Sequence, residues 1–104
     1  MIKKNTKGKA QFSFFHEGIE AGYISYIEGE NICGVRIIDK YRGNGLGKKM
    51  MIEFVAFLKG EGYKHLTLAV EISNFPAILA YLSAGFFIEE ISSDKVVFYM
   101  RWDS

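Results

Sequence analysis

Apolar and polar residues roughly alternate over 10–16 (Ala-Gln-Phe-Ser-Phe-Phe-His), the period of a half-buried strand. Glu17-Gly18 reads as a turn, and 21–28, rich in aromatic and β-branched side chains, as a second strand. Gly29 within Glu28-Gly29-Glu30-Asn31 predicts a hairpin into a third strand over 31–39. The period then changes. Leu46, Met50, Phe54, Phe57 and Leu58 fall on one stripe at helical spacing, which predicts a helix from Asn44 to about Lys59, ended by Gly60 and Gly62. His65 to Val70 is a short apolar run that reads as a central strand. Asn74 suits an N-cap and Pro76 a first helical turn, so a second helix runs to about Ala84 before Gly85 stops it. Two strands near 86–91 and 95–102, joined by Ser92-Ser93-Asp94, close the chain. The order is β-β-β-α-β-α-β-β. Its middle needs crossover connections and some parallel pairing, and its flanking hairpins need antiparallel pairing. The expected fold class is therefore α/β, a mixed and mostly antiparallel sheet with helices packed on it.

Composition narrows the picture. The 104 residues show no shift, repeat or low-complexity run, so residues 1–104 are expected to form one domain. The first dozen hold four lysines, and residues 1–9 are expected to be loosely ordered. A 49% hydrophobic content excludes disorder. The lone Cys33 excludes an internal disulfide and, with only two histidines, leaves no metal site expected; a reducing cytoplasm is the natural compartment. The formal net charge of +1 gives no global field toward nucleic acid or an anionic membrane. Apolar runs such as Ile78 to Leu82 are too short to span a bilayer, and the opening Met-Ile-Lys-Lys-Asn lacks the apolar segment of a signal peptide.

One segment concentrates chemistry. Tyr41-Arg42-Gly43-Asn44-Gly45-Leu46-Gly47-Lys48-Lys49 lies between an extended strand and an amphipathic helix. Glycines at alternate positions let the backbone bend and approach a ligand closely. The helix start offers unpaired N–H groups and partial positive charge, the makings of a phosphate cradle. Lys40, Arg42, Lys48 and Lys49 make the segment basic in a nearly neutral chain. A tight turn with solvated lysines has the same appearance. A Walker loop is excluded because Lys49 stands where Ser or Thr belongs, and a dinucleotide fingerprint because the glycines fall at 43, 45 and 47.

At this loop the sequence resembles the GNAT superfamily of acyl-CoA-dependent N-acetyltransferases. The family signature Arg/Gln-x-x-Gly-x-Gly/Ala is met by Arg42, Gly45 and Gly47, with Tyr41, Gly43 and Leu46 completing the fuller form. A second block, Asn-x-x-Ala, then Tyr, then Gly-Phe, is met by Asn74, Ala77, Tyr81, Gly85 and Phe86; the Leu often found before the Tyr is Ala80 here.

The resemblance implies acetyl-CoA or CoA as co-substrate and no metal. It places the pyrophosphate on the backbone of Arg42, Gly43, Asn44, Gly45, Leu46, Gly47 and Lys48, and the pantetheine arm along the backbone of Val35 and Ile37, with Asn74 nearby. It gives Tyr81 the role of general acid toward the departing thiolate, in a position that a core aromatic also fills. The base is open: Glu71 is the favoured carboxylate, ahead of Glu28 and Glu30, and some relatives carry a glutamate where Ala69 stands. Cys33 reads as an inert thiol, His16 and His65 as sheet residues. Relatives usually carry two helices between the first two strands, and here only Glu17 to Glu20 separates them. The half of the site that selects the amine is thus reduced. Either it stays open to a large acceptor such as a protein amine, or a second subunit completes it as a homodimer.

The expected function is transfer of an acetyl group from acetyl-CoA to a primary amine, on a small molecule or a protein, by direct attack in a ternary complex. The competing expectations are a non-catalytic domain that binds acyl-CoA or another protein, and a dimerisation module. Membrane and nucleic-acid partners are not expected.

Overall fold

The computed structural model describes residues 1–5, 10–38, 43 and 45–104. A seven-stranded sheet carries two helices. Its strands are β1 (Ile2–Lys4), β2 (Phe12–His16), β3 (Ile19–Glu28), β4 (Asn31–Ile37), β5 (His65–Glu71), β6 (Phe87–Ile91) and β7 (Val97–Asp103), in the spatial order β1-β2-β3-β4-β5-β7-β6. Helix α1 (Leu46–Gly60) joins β4 to β5, and α2 (Phe75–Ser83) joins β5 to β6. Among the described residues only β4 and β5 pair in parallel, a pairing that demands a crossover. The mixed, mostly antiparallel sheet is as expected, and the helices start and end within about two residues of their predicted bounds.

One strand is added to the expected order. Ile2–Lys4 pairs antiparallel with Phe12–Phe14, so this part of the segment expected to be loose belongs to the sheet. Asn5 extends the anchor: its backbone N–H donates to Gln11 O at 2.7 Å and its side-chain amide to Ser13 Oγ at 2.7 Å.

Both helices share one side of the sheet. Leu66, Leu68 and Val70 of β5 point inward and join Met50, Met51, Phe54 and Leu58 of α1, Ile78 and Tyr81 of α2, and Phe12 and Phe14 of β2 in one buried cluster. Phe12 meets Phe54 and Phe57 edge-on, at ring-centroid distances of 6.5 and 5.8 Å. The alternation that buries those β5 residues turns Ala69 and Glu71 to the opposite face, where they are exposed beside Tyr99. Among the described residues no helix covers that face, and none is long and apolar enough to cross a membrane.

Helix α2 ends in a tight signature. Gly85 N–H donates to Leu82 O and Phe86 N–H to Tyr81 O, at 3.1 and 3.0 Å, and Phe86 packs back on Tyr81. Gly85 sits at φ 98°, and a Cβ there would come 3.3 Å from Trp102 Cδ1. Gly85→Ala is therefore expected to destabilise the fold by about 1–2 kcal/mol from the left-handed backbone alone. Denaturant unfolding measures it, and an unchanged midpoint would show that the chain turns there by another route.

A cleft between two helix starts and a parted strand

The first residues of α1 carry an unanswered positive end. Gly45, the N-cap, is left-handed at φ 72°, no side chain caps the helix, and its first turn holds no acidic residue. The leading N–H groups of a helix lack intrahelical partners, and its dipole concentrates positive charge there. Gly43, Gly45, Leu46, Gly47 and Lys48 line one end of a cleft of about 590 Å³. A Cβ on Gly47 would lie 3.7 Å from that of Ala80, so the two helices pack closely beside the cleft that both residues line. Arg42 and Asn44, expected to join this loop, lie outside the described residues.

The cleft's second wall comes from a strand that leaves its neighbour. Strands β4 and β5 pair only at Asn31 opposite Thr67, held by Thr67 N–H to Glu30 O at 2.9 Å. Beyond that point Val35, Arg36 and Ile37 border the cleft. Gly34 produces the change of course. Its φ of +74° interrupts the β3–β4 pairing opposite Ser25 without shifting the register, and a Cβ there would collide with Ser25 Oγ at 2.6 Å. As a result Ile32 and Val35, three residues apart, both pack against the core, a spacing that a regular strand cannot give.

The third wall is α2. Ala77 N–H donates to Asn74 Oδ1 at 3.4 Å, so Asn74 caps the helix while it borders the cleft. Tyr81, two turns on, is 7% exposed and reaches the same cleft. Its phenol oxygen has no hydrogen-bond partner among the described residues. Among the described residues no side-chain oxygen or nitrogen sealed from solvent lacks one, so this oxygen opens on the cleft. Burial pushes the phenol up to about 12, because the charged form loses hydration. Tyr81 thus keeps its proton at physiological pH.

The structure brings Val35, Ile37, Gly43, Gly45, Leu46, Gly47, Lys48, Asn74 and Tyr81 to one cleft. It does not bring Glu71 there. That side chain is exposed on the uncovered sheet face, and its backbone oxygen accepts from Asn74 N–H at 2.9 Å. No carboxylate lines the cleft among the described residues. Cys33 is half-buried beside Asn31, whose amide donates to its sulfur at 3.2 Å. Reading the sequence missed Gly34, although an isolated glycine inside a strand pattern marks a close approach such as the one to Ser25. It also passed over Phe75, which borders the cleft although 67% exposed.

Residues 5–86 match the sequence model of the Acetyltransferase (GNAT) family. An acetyltransferase of Bacillus subtilis solved in complex with CoA aligns at TM-score 0.74 and 14% identity, over 92% of this chain and 78% of that one. The ribosomal-protein alanine N-acetyltransferase of Escherichia coli aligns at TM-score 0.66 and 22% identity, over 88% and 66%. The PaiA N-acetyltransferase of Thermoplasma acidophilum, in complex with coenzyme A, aligns at TM-score 0.68 and 20% identity, over 89% and 59%. At these identities the likeness is one of fold. No curated protein matches the chain significantly.

Proposed function

Because the chain belongs to the GNAT acetyltransferase family, we propose that it moves an acetyl group from acetyl-CoA to a primary amine, by direct attack within a ternary complex. The observation that carries this reading is the uncapped start of α1 at the mouth of the cleft. The amides of Gly45, Leu46, Gly47 and Lys48 would hold the diphosphate, with Gly43, Arg42 and Asn44 completing the loop. The Val35–Ile37 segment would run beside the pantetheine arm as an added strand does, and Asn74 would border it. The bound thioester supplies the electrophilic carbonyl.

Tyr81 would then face the sulfur. A thiol titrates near 8.5, so full proton transfer from a phenol at about 12 is uphill by roughly 5 kcal/mol before the thiolate is itself desolvated. Tyr81 therefore acts first as a hydrogen-bond donor to the developing thiolate and yields its proton as the C–S bond breaks, since burial raises the thiol as well. We assign the amine's proton to Glu71 through water on the uncovered face, because that side chain does not reach the cleft. The acceptor amine enters from the same face. A protein amine, or a small amine held by a second copy of the chain, would supply the missing wall, and sedimentation with and without acceptor separates the two.

Acetyl-CoA at a hundred times its Kd is expected to stabilise the protein by about 2.7 kcal/mol, about 10 °C or more in Tm for a domain of this size. The absence of both a thermal shift and a calorimetric signal would overturn the reading. One observation favours a second reading, a domain that binds acyl-CoA without transfer: the described cleft residues include no carboxylate. Binding with no product across a broad amine panel would establish it.

A further inference from the structure

We propose that Phe75 is a stacking platform for the adenine of the coenzyme, an inference that rests on the cofactor reading above. Phe75 is more exposed than any other aromatic side chain among the described residues. It does nothing visible for its own helix. Asn74 supplies the cap, Pro76 suits the first turn, and the ring lies outside the buried cluster. Yet it borders the cleft together with Pro76 and with Leu79, itself 52% exposed and one turn further along. The three make an apolar lip.

Topology fixes which end of the cleft this lip belongs to. Helices α1 and α2 each follow one of the two parallel strands, so both helix starts lie at the same end. A diphosphate on the start of α1 puts the nucleotide there. Tyr81 stands six residues further along α2, about 9 Å away along the axis, at the thiol end. The ring of Phe75 is therefore placed for the nucleotide and away from the reacting atoms. A purine laid on it would cover an apolar face that water now wets. The pantetheine arm is an unsuitable occupant, because it must leave this end to bring its sulfur to Tyr81.

Calorimetric titration of wild type, Phe75→Ala and Phe75→Trp tests the assignment with two ligands, acetyl-CoA and S-acetyl-phosphopantetheine, which keeps the arm and one phosphate and lacks the adenine nucleotide. Base–aromatic stacking predicts that Phe75→Ala weakens acetyl-CoA by about tenfold or more and leaves the truncated donor unchanged, while Phe75→Trp retains full affinity. The unliganded melting temperature should change little, since the ring lies outside the buried cluster. Equal weakening of both ligands, or no weakening of acetyl-CoA, would overturn the platform while the cofactor reading stands. Wild type that binds neither ligand would remove both.

Discussion

Exchanging Lys48 for Glu is expected to reduce acetyl-CoA affinity by at least about a hundredfold while the unliganded protein melts at the same temperature or slightly higher. With Gly45 as N-cap, Lys48 is the third helical residue of α1. An acid at that position can reach back to the N-cap N–H and meets the helix dipole favourably, worth about 0.3–1 kcal/mol. A lysine there opposes the dipole, so the native residue serves something other than the helix. Against a diphosphate the balance reverses. One unit charge at roughly 5 Å and an effective dielectric of about 20 contributes about 3 kcal/mol, and a charge reversal counts it twice. The exposure of Lys48 roughly halves that figure, to about 3 kcal/mol, which leaves the stated loss. Calorimetry measures the affinity and differential scanning the stability. Raising the salt should shrink the gap between variant and wild type. Unchanged affinity would show that the anion site is elsewhere, and joint loss of binding and stability would mean that the variant acts by unfolding.

That site was legible because its signals are local. Three glycines in a basic run before an amphipathic stripe describe a strand-to-helix turn with open amides, and each signal lies within ten residues. The hairpins were legible for the same reason. What escaped depends on partners distant in the chain. Strand β1 has three residues, two of them lysines, and no period of its own; its pairing comes from β2. The parting of β4 from β5 is a missing interaction that no run of residues announces; only the family resemblance, which lays the pantetheine arm along Val35 and Ile37, implied it. Phe75 hides in a helix that is apolar almost throughout, Phe-Pro-Ala-Ile-Leu-Ala-Tyr-Leu, where periodicity cannot tell an exposed ring from a core one. The outward turn of Glu71, by contrast, was readable. Leu66, Leu68 and Val70 set the inward parity of β5, and a strand puts the next residue on the other face.

Tyr81→Phe is expected to lower kcat by about a hundredfold and leave the affinity for acetyl-CoA and the melting temperature unchanged. The two expectations follow from where the atoms are. The ring packs within the core, 6.0 Å from that of Phe86, and the phenylalanine ring keeps that contact. The hydroxyl opens on the cleft without a partner among the described residues, so removing it breaks no bond in the unliganded protein. Its contribution is confined to the moment when charge builds on sulfur, and a positioned proton donor is worth about two to four powers of ten. Leaving-group dependence separates this role from a packing role. An aryl thioester departs as a weakly basic thiolate that needs no proton, so with such a donor the deficit of the phenylalanine variant should largely vanish. A phenol held near 12 also predicts no alkaline fall in wild-type rate from Tyr81 below about pH 11, because the acidic form persists until then. Equal deficits with alkyl and aryl thioesters would take the proton-donor role away from Tyr81 and leave it as one wall of the cleft.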